Sequence, residues 1–145
     1  MGTVMRSKEY EPLPLDRLAQ FLIKAKRDGY ANPDRKFEHE ADGSFSTRFE
    51  EGDLSFHDNW FGGEPFAGRE VVSYQGKPIW MMIYFGDDFA GVDGTVPILK
   101  KALIQMPEDM PVRGPKQLVE GSFFYQNVYE GNLASFDGVE SIFKE

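Results

Sequence analysis

The sequence predicts an α+β domain: two helix-plus-strands pseudo-repeats forming a curved antiparallel sheet with two helices on one face. Three observations carry that expectation. Two segments place apolar residues at helical spacing, the stretches between and after them alternate apolar and polar residues with period two, and nine positions recur about 69 residues further along the chain. At 145 residues the chain can build one core but not two. Its 41% hydrophobic and 14% aromatic content is that of a folded globule.

Residues 1–12 are polar and read as an N-terminal arm, with 13–145 as a single domain divided into pseudo-repeats at about 13–91 and 92–145. Leu15, Leu18, Ala19, Leu22 and Ala25 define the first helix, with Pro14 at its entrance, Asp16 in its first turn and Gly29 as its stop. Its lysines and arginines are expected on the wet side. Tyr30 to Gly43 is a polar loop long enough to act as a flap. Phe45, Thr47 and Phe49, then Leu54, Phe56, Asp58 and Trp60 after the Glu51-Gly52 turn, alternate as a hairpin with one apolar face. Val71–Tyr74 and Ile79–Phe85 flank Gln75-Gly76-Lys77 as a second hairpin. Its return strand is apolar on both sides, which predicts a central strand covered on both faces. A second helix is expected at about 95–106, capped by Asp93 or Thr95, followed by strands at about 116–120 and 122–130 and an aromatic segment from Leu133 to Phe143.

The recurrence is specific in order. Glu51, Gly52, Phe56, Asp58, Trp60 and Gly62 return as Glu120, Gly121, Tyr125, Asn127, Tyr129 and Gly131; after one inserted residue, Phe66, Gly68 and Glu70 return as Phe136, Gly138 and Glu140. Phe56, Asp58 and Trp60 share one strand face, as do Tyr125, Asn127 and Tyr129. An acid and an amide therefore stand at matching points among rings on an inward surface, where they must be hydrogen-bonded or meet a ligand. Either they tie down loops across a pseudo-twofold axis, or they line a cleft between the units with Trp60, Tyr125 and Tyr129 as walls. Glu70 and Glu140 are in the same position: strand-start carboxylates bonded to backbone amides, or desolvated acids facing a cationic ligand.

The string from Asp58 to Val72, with Gln75-Gly76-Lys77-Pro78-Ile79-Trp80, Met110 to Pro115 and Phe136 to Phe143, resembles the signature of an uncharacterised bacterial domain family. Its members occur alone or behind a helix-turn-helix DNA-binding domain, so the resemblance implies a sensing role by analogy and no activity. The doubled layout is also similar to gyrase-inhibitor-like effector-binding domains, which hold small molecules between two repeats. The second unit lacks the strand corresponding to Ile79–Phe85, leaving a sheet edge that a partner, as in a homodimer, or the N-terminal arm could cover.

Composition narrows the chemistry. The formal net charge is −8, split as +3 over residues 1–36 and −11 over the remainder, which disfavours nucleic-acid binding through this domain. Cysteine is absent, excluding disulfides and thiolate nucleophiles. No apolar run suits a membrane span or a secretory leader, so a cytoplasmic setting is expected. His57 and Asp58 point to opposite strand faces and cannot form a dyad directly. Glu38-His39-Glu40 and Gly86–Gly94 read as polar loops, so no metal, cofactor or catalytic residue is assigned. The expected site is a ligand-binding one of Asp58, Trp60, Glu70, Tyr84, Tyr125, Asn127 and Tyr129, suited to a small organic cation. The alternatives are a hydrolase-like enzyme with Glu70 or Asp58 as general base, and an interaction module pairing through the open sheet edge.

Overall fold

The computed structural model describes residues 2–4, 13–88, 91 and 93–145. Helix α1 (Leu15–Asp28) starts behind Pro14, and the Gly29 N–H closes it on the Ala25 carbonyl. Leu18, Ala19, Phe21, Leu22 and Ala25 form its buried stripe, as their spacing predicts. Lys26 departs from the expectation that the basic residues face water, because it lies seven residues after Ala19 and four after Leu22, on the same inward stripe, and is buried.

Strands β2 (Glu38–His39), β3 (Phe45–Glu51), β4 (Leu54–Gly62), β5 (Phe66–Tyr74) and β6 (Lys77–Gly86) pair antiparallel in chain order. Strand β5 begins well before its apolar run at Val71, since Phe66–Glu70 pair residue for residue with Gly62–Asp58 of β4. The β5–β6 turn carries positive φ at both Gln75 and Gly76, the left-handed pair that a two-residue hairpin requires. On β6, Trp80 and Met82 are buried inward, whereas Ile83 and Phe85 are exposed at 57% and 86%. The expectation of cover on both sides fails there because both helices pack on the other face.

Helix α2 (Thr95–Ile104) ends before residue 106, although Met106 beyond it is still buried. Its N-cap is Gly94 in the left-handed conformation with no side-chain cap, so neither Asp93 nor Thr95 plays that part, and the Thr95 hydroxyl reaches Asp88 at 3.3 Å. Strands β7 (Gln117–Glu120), β8 (Phe123–Asn132) and β9 (Ser135–Lys144) form the second antiparallel set.

The recurring positions occupy matching places in the two sets. Asp58 pairs with Glu70 and Asn127 with Glu140; Trp60 pairs with Gly68 and Tyr129 with Gly138. Gly62 and Gly131 both have positive φ at their hairpin turns, and a Cβ on either would strike the carbonyl oxygen of Pro65 or Ser135 at about 2 Å. The short strand β1 (Gly2–Val4) pairs antiparallel with both β6 and β9 and joins the five-stranded and three-stranded sets into one nine-stranded order. Strand β1 thus lies along β9 at Ser135 and Phe136, on the edge that the sequence reading left for a partner or the N-terminal arm.

The main core gathers α1, the inner faces of β4–β6, Met110 and Val112 of the loop after α2, and Leu133 and Phe136 of the second set. Trp80 ties the sets together: its ring stacks with Phe136 at 6.1 Å and its indole N–H donates to the Leu133 carbonyl at 3.0 Å. A smaller cluster of Ile98, Ala102 and Tyr125 seats α2 on β8.

Candidate functional site

Asp58 and Glu70 face each other across the β4–β5 ladder on the inward side, and both are buried. Two carboxylates taken out of water side by side need positive charge or donors from neighbouring elements. Helix α1 supplies Lys26, whose ammonium lies 2.8 Å from Glu70, also donates to the Val112 carbonyl, and stands 5.8 Å from the centre of the Trp80 ring. Strand β6 supplies Tyr84, whose hydroxyl donates to Asp58 at 2.5 Å. Burial, reinforced by the neighbouring Glu70 charge, pushes the Asp58 carboxyl up to about 7, against the opposing hydrogen bond from Tyr84 and the nearby cations. Burial also lowers Lys26 from the ordinary lysine value, with the Glu70 carboxylate working against it.

The second set repeats the arrangement with different chemistry. Asn127 stands where Asp58 does, is buried, and donates its amide to the Gly114 carbonyl at 3.1 Å. Glu140 stands where Glu70 does and receives Arg113 at 2.6 Å and the Tyr125 hydroxyl. Tyr125 in turn accepts the Gly114 N–H at 3.1 Å. Burial opposes the Arg113 charge, but the Glu140 carboxylate and its hydrogen bonds overcome it and raise the guanidinium above its ordinary value. The Arg113 guanidinium carbon lies 5.9 Å from the Tyr84 ring centre, so the 112–114 loop connects the two sets: Val112 accepts from Lys26, Arg113 bridges Glu140 and Tyr84, and Gly114 holds Tyr125 and Asn127.

Of the residues singled out from sequence, Asp58, Glu70 and Tyr84 thus come together around Lys26, and Tyr125 and Asn127 around Gly114, with Arg113 between the groups. Trp60, two residues from Asp58 on the same face, turns to Tyr30, Phe37 and Phe45 instead. Tyr129 stands beneath the Lys116 ammonium, 5.9 Å from its ring centre. His57 is hydrogen-bonded to Ser46 at 2.9 Å, while His39 lies on the exposed edge strand β2. The site residues that sequence reasoning missed are Lys26 and Arg113. Position 26 on the helical stripe signals the first; nothing periodic marks the second.

Close backbone approach sets this geometry. A Cβ on Gly68 would lie 2.5 Å from the Tyr84 hydroxyl and 2.6 Å from both the Asn59 carbonyl and the Trp60 Cβ. Gly68→Ala is therefore expected to lower stability by about 1–3 kcal/mol and to dislodge Tyr84 from Asp58. Chemical denaturation, together with the tyrosine hydroxyl resonance of Tyr84, checks both effects.

Among the described residues no three His, Asp or Glu side chains gather as metal ligands, and no helix is long and apolar enough to cross a membrane. The fold and site define an α+β domain with a buried cluster of ionisable groups at the seam of two strand sets. Residues 58–145, from the first cluster acid through β9, match the family described as Domain of unknown function (DUF5680), and the chain belongs to that family. No curated protein and no solved structure matches the chain.

Proposed function

We propose that the chain is a small-molecule-binding, sensor-like module whose ligand is an organic cation held at the seam between two copies of one helix-plus-strands unit. The carrying observation is a charge mismatch. The seam holds three carboxylates, Asp58, Glu70 and Glu140, against two cations, Lys26 and Arg113. With Asp58 protonated the cluster balances; once it ionises, one positive charge is lacking. Tyr84, whose ring already has the Arg113 guanidinium 5.9 Å from its centre, and Trp60 supply aromatic neighbours of the kind such a cation favours, with Tyr125, Asn127 and Tyr129 on the second set. The matched registers of Asp58–Glu70 and Asn127–Glu140 support the reading of an internal repeat. The likeness to gyrase-inhibitor-like effector domains, and to a bacterial family that occurs behind DNA-binding domains, supports a cytoplasmic sensing role by analogy alone.

The general-base reading is less well supported. An Asp58 carboxyl near 7 has a suitable pKa, but it accepts the Tyr84 hydroxyl and is buried, while Glu70 is ion-paired with Lys26. The test is a thermal-shift screen of organic cations, organic acids and nucleosides at pH 6 and pH 8. Cations are expected to raise the melting temperature, more at pH 8, and Asp58→Asn to remove the pH dependence of that rise. A screen in which acids or nucleosides stabilise and cations do not would overturn the cation assignment; silence from every class would overturn ligand binding altogether.

A further inference from the structure

Strand β1 sets how the outer faces of the two strand sets line up. Thr3 pairs with Met81 of β6 on one side and with Ser135 of β9 on the other. Both flanking strands run antiparallel to β1, hence in the same direction, so Ile83 shares a row with Asp137 and Phe85 shares the next outward row with Val139. The ladders extend both rows. Ile83 faces Arg69, and Asp137 faces Glu130; Phe85 continues through Ala67 to Phe61, and Val139 pairs with Val128. The side of the sheet away from the helices thus carries an apolar row beside a charged one, basic at Arg69 and acidic at Asp137 and Glu130.

The apolar row stands in water: Phe61, Phe85, Val128 and Val139 are between 49% and 86% exposed. Arg69, Asp137 and Glu130 are exposed too and have no ion pair among the described residues, whereas Arg48 on the same face is held by Glu38 and Glu40. A row of exposed apolar side chains crossing from one set to the other marks a surface that another body covers. The two-sided apolar pattern of β6 calls for the same cover.

We infer that a second copy of the chain supplies this cover, the two sheets packing face to face about a twofold axis that runs along the strands between β6 and β1. Such an interface must be self-complementary, and this one is. Counted outward from the axis in the order β4-β5-β6-β1-β9-β8, β5 lies over β9 of the other copy and β4 over its β8, with the rows preserved. Arg69 then meets Asp137 of the second copy, Ala67 meets Val139, and Phe61 meets Val128, each contact occurring twice. The two Phe85 rings stand side by side at the axis. An axis across the strands would instead lay each set on its own copy, Arg69 near Arg69 and acids near acids.

From β4 to β8 the patch spans five strand spacings, about 24 Å, and about 20 Å along the strands, which is at the small end of specific interfaces and suits a reversible dimer of micromolar affinity. The pairing uses a face rather than a sheet edge. It lies on the side opposite the Asp58–Glu70 seam, so it stands independently of the ligand reading.

Sedimentation velocity of the full chain, from about 1 μM to a few hundred μM, reads the association, and a dimer is expected to form across that range. Arg69→Glu and Asp137→Arg each set like charges against one another at both symmetric contacts, and each is expected to raise the dissociation constant about tenfold or more. An equal mixture of the two variants restores opposite charges at both contacts, so dimers of the parent's affinity should return, which two misfolded variants could not produce. Phe85→Asp is expected to abolish the dimer by placing two carboxylates at the axis. A chain that stays monomeric throughout overturns the proposal. So does a dimer indifferent to both charge reversals, as pairing through the β7 edge would be, or a mixture of the two variants that associates no better than either alone.

Discussion

Replacing Lys26 by methionine is expected to destabilise the protein by about 3–5 kcal/mol, the range for breaking a buried ion pair by removing one partner. The substitution leaves the Glu70 carboxylate buried with its partner ammonium gone, and it also removes the donor to the Val112 carbonyl. Methionine fills much of the same volume on the α1 stripe, so the loss measures charge and hydrogen bonding rather than a cavity. Lys26→Met with Glu70→Met should recover more than half of the deficit, because the pair is then replaced by apolar contact with no stranded charge. Urea denaturation of the three variants checks this. A Lys26→Met protein within about 1 kcal/mol of the parent would show that the pair is solvated in practice and that the seam is not dry.

Stability is expected to fall as the pH rises from about 4 to 7, through the Asp58 carboxyl. Its folded value is raised to about 7 and its unfolded value is near 4. Over that window the folded chain keeps a proton that the unfolded chain has released, so the stability contributed by protonated Asp58 is fully present below pH 4 and lost as the pH passes 7. The slope amounts to roughly 1.4 kcal/mol per pH unit and a few kcal/mol in total, burial being its first cause and the Glu70 charge its second. His57 acts in part of the same range with the opposite sign, since burial first, and the Arg48 charge second, hold it below its ordinary value. The difference between the parent and Asp58→Asn at each pH isolates the Asp58 contribution, because asparagine keeps an acceptor for Tyr84 and cannot titrate. Parallel stability–pH curves for the two proteins would remove Asp58 as the cause.

Much of the scaffold is legible in the sequence because it rests on local rules. The α1 stripe, its Pro14 entrance and Gly29 stop, the Gln75-Gly76 turn and the two-residue alternation of β4 all follow from spacing and turn chemistry. The recurring acids, rings and glycines are legible too, since each paired position has a physical task at its own place in a hairpin. What the sequence conceals is long-range. Lys26 looks like one more solvated helix lysine until Glu70 arrives from 44 positions away to meet it. Arg113 lies in a proline-flanked loop without periodicity, and its importance comes from Glu140 and Tyr84 on different strands. Phe37 sits in a run that reads as a polar flap, and only contact with Trp60 turns that run inward. Strand β1 rests on three residues whose pairing depends on two edges far along the chain.

The sequence also suggested that aromatic walls would face acids awaiting a cation. Two of the three acids already have cations from the chain itself, so the seam is closer to neutral than residue counting implied. That leaves Asp58 as the group on which the proposed binding and the expected pH dependence both turn. It is dry, faces Glu70 across a ladder rung, and has a tyrosine rather than a cation as its direct partner.

The most direct test is to follow the Asp58 side-chain carboxyl carbon by NMR from pH 3 to pH 9. A transition near 7 that falls toward ordinary values in Glu70→Gln is the expected result. A transition near 4, unchanged by Glu70→Gln, would contradict the buried, charge-mismatched seam on which the functional reading stands.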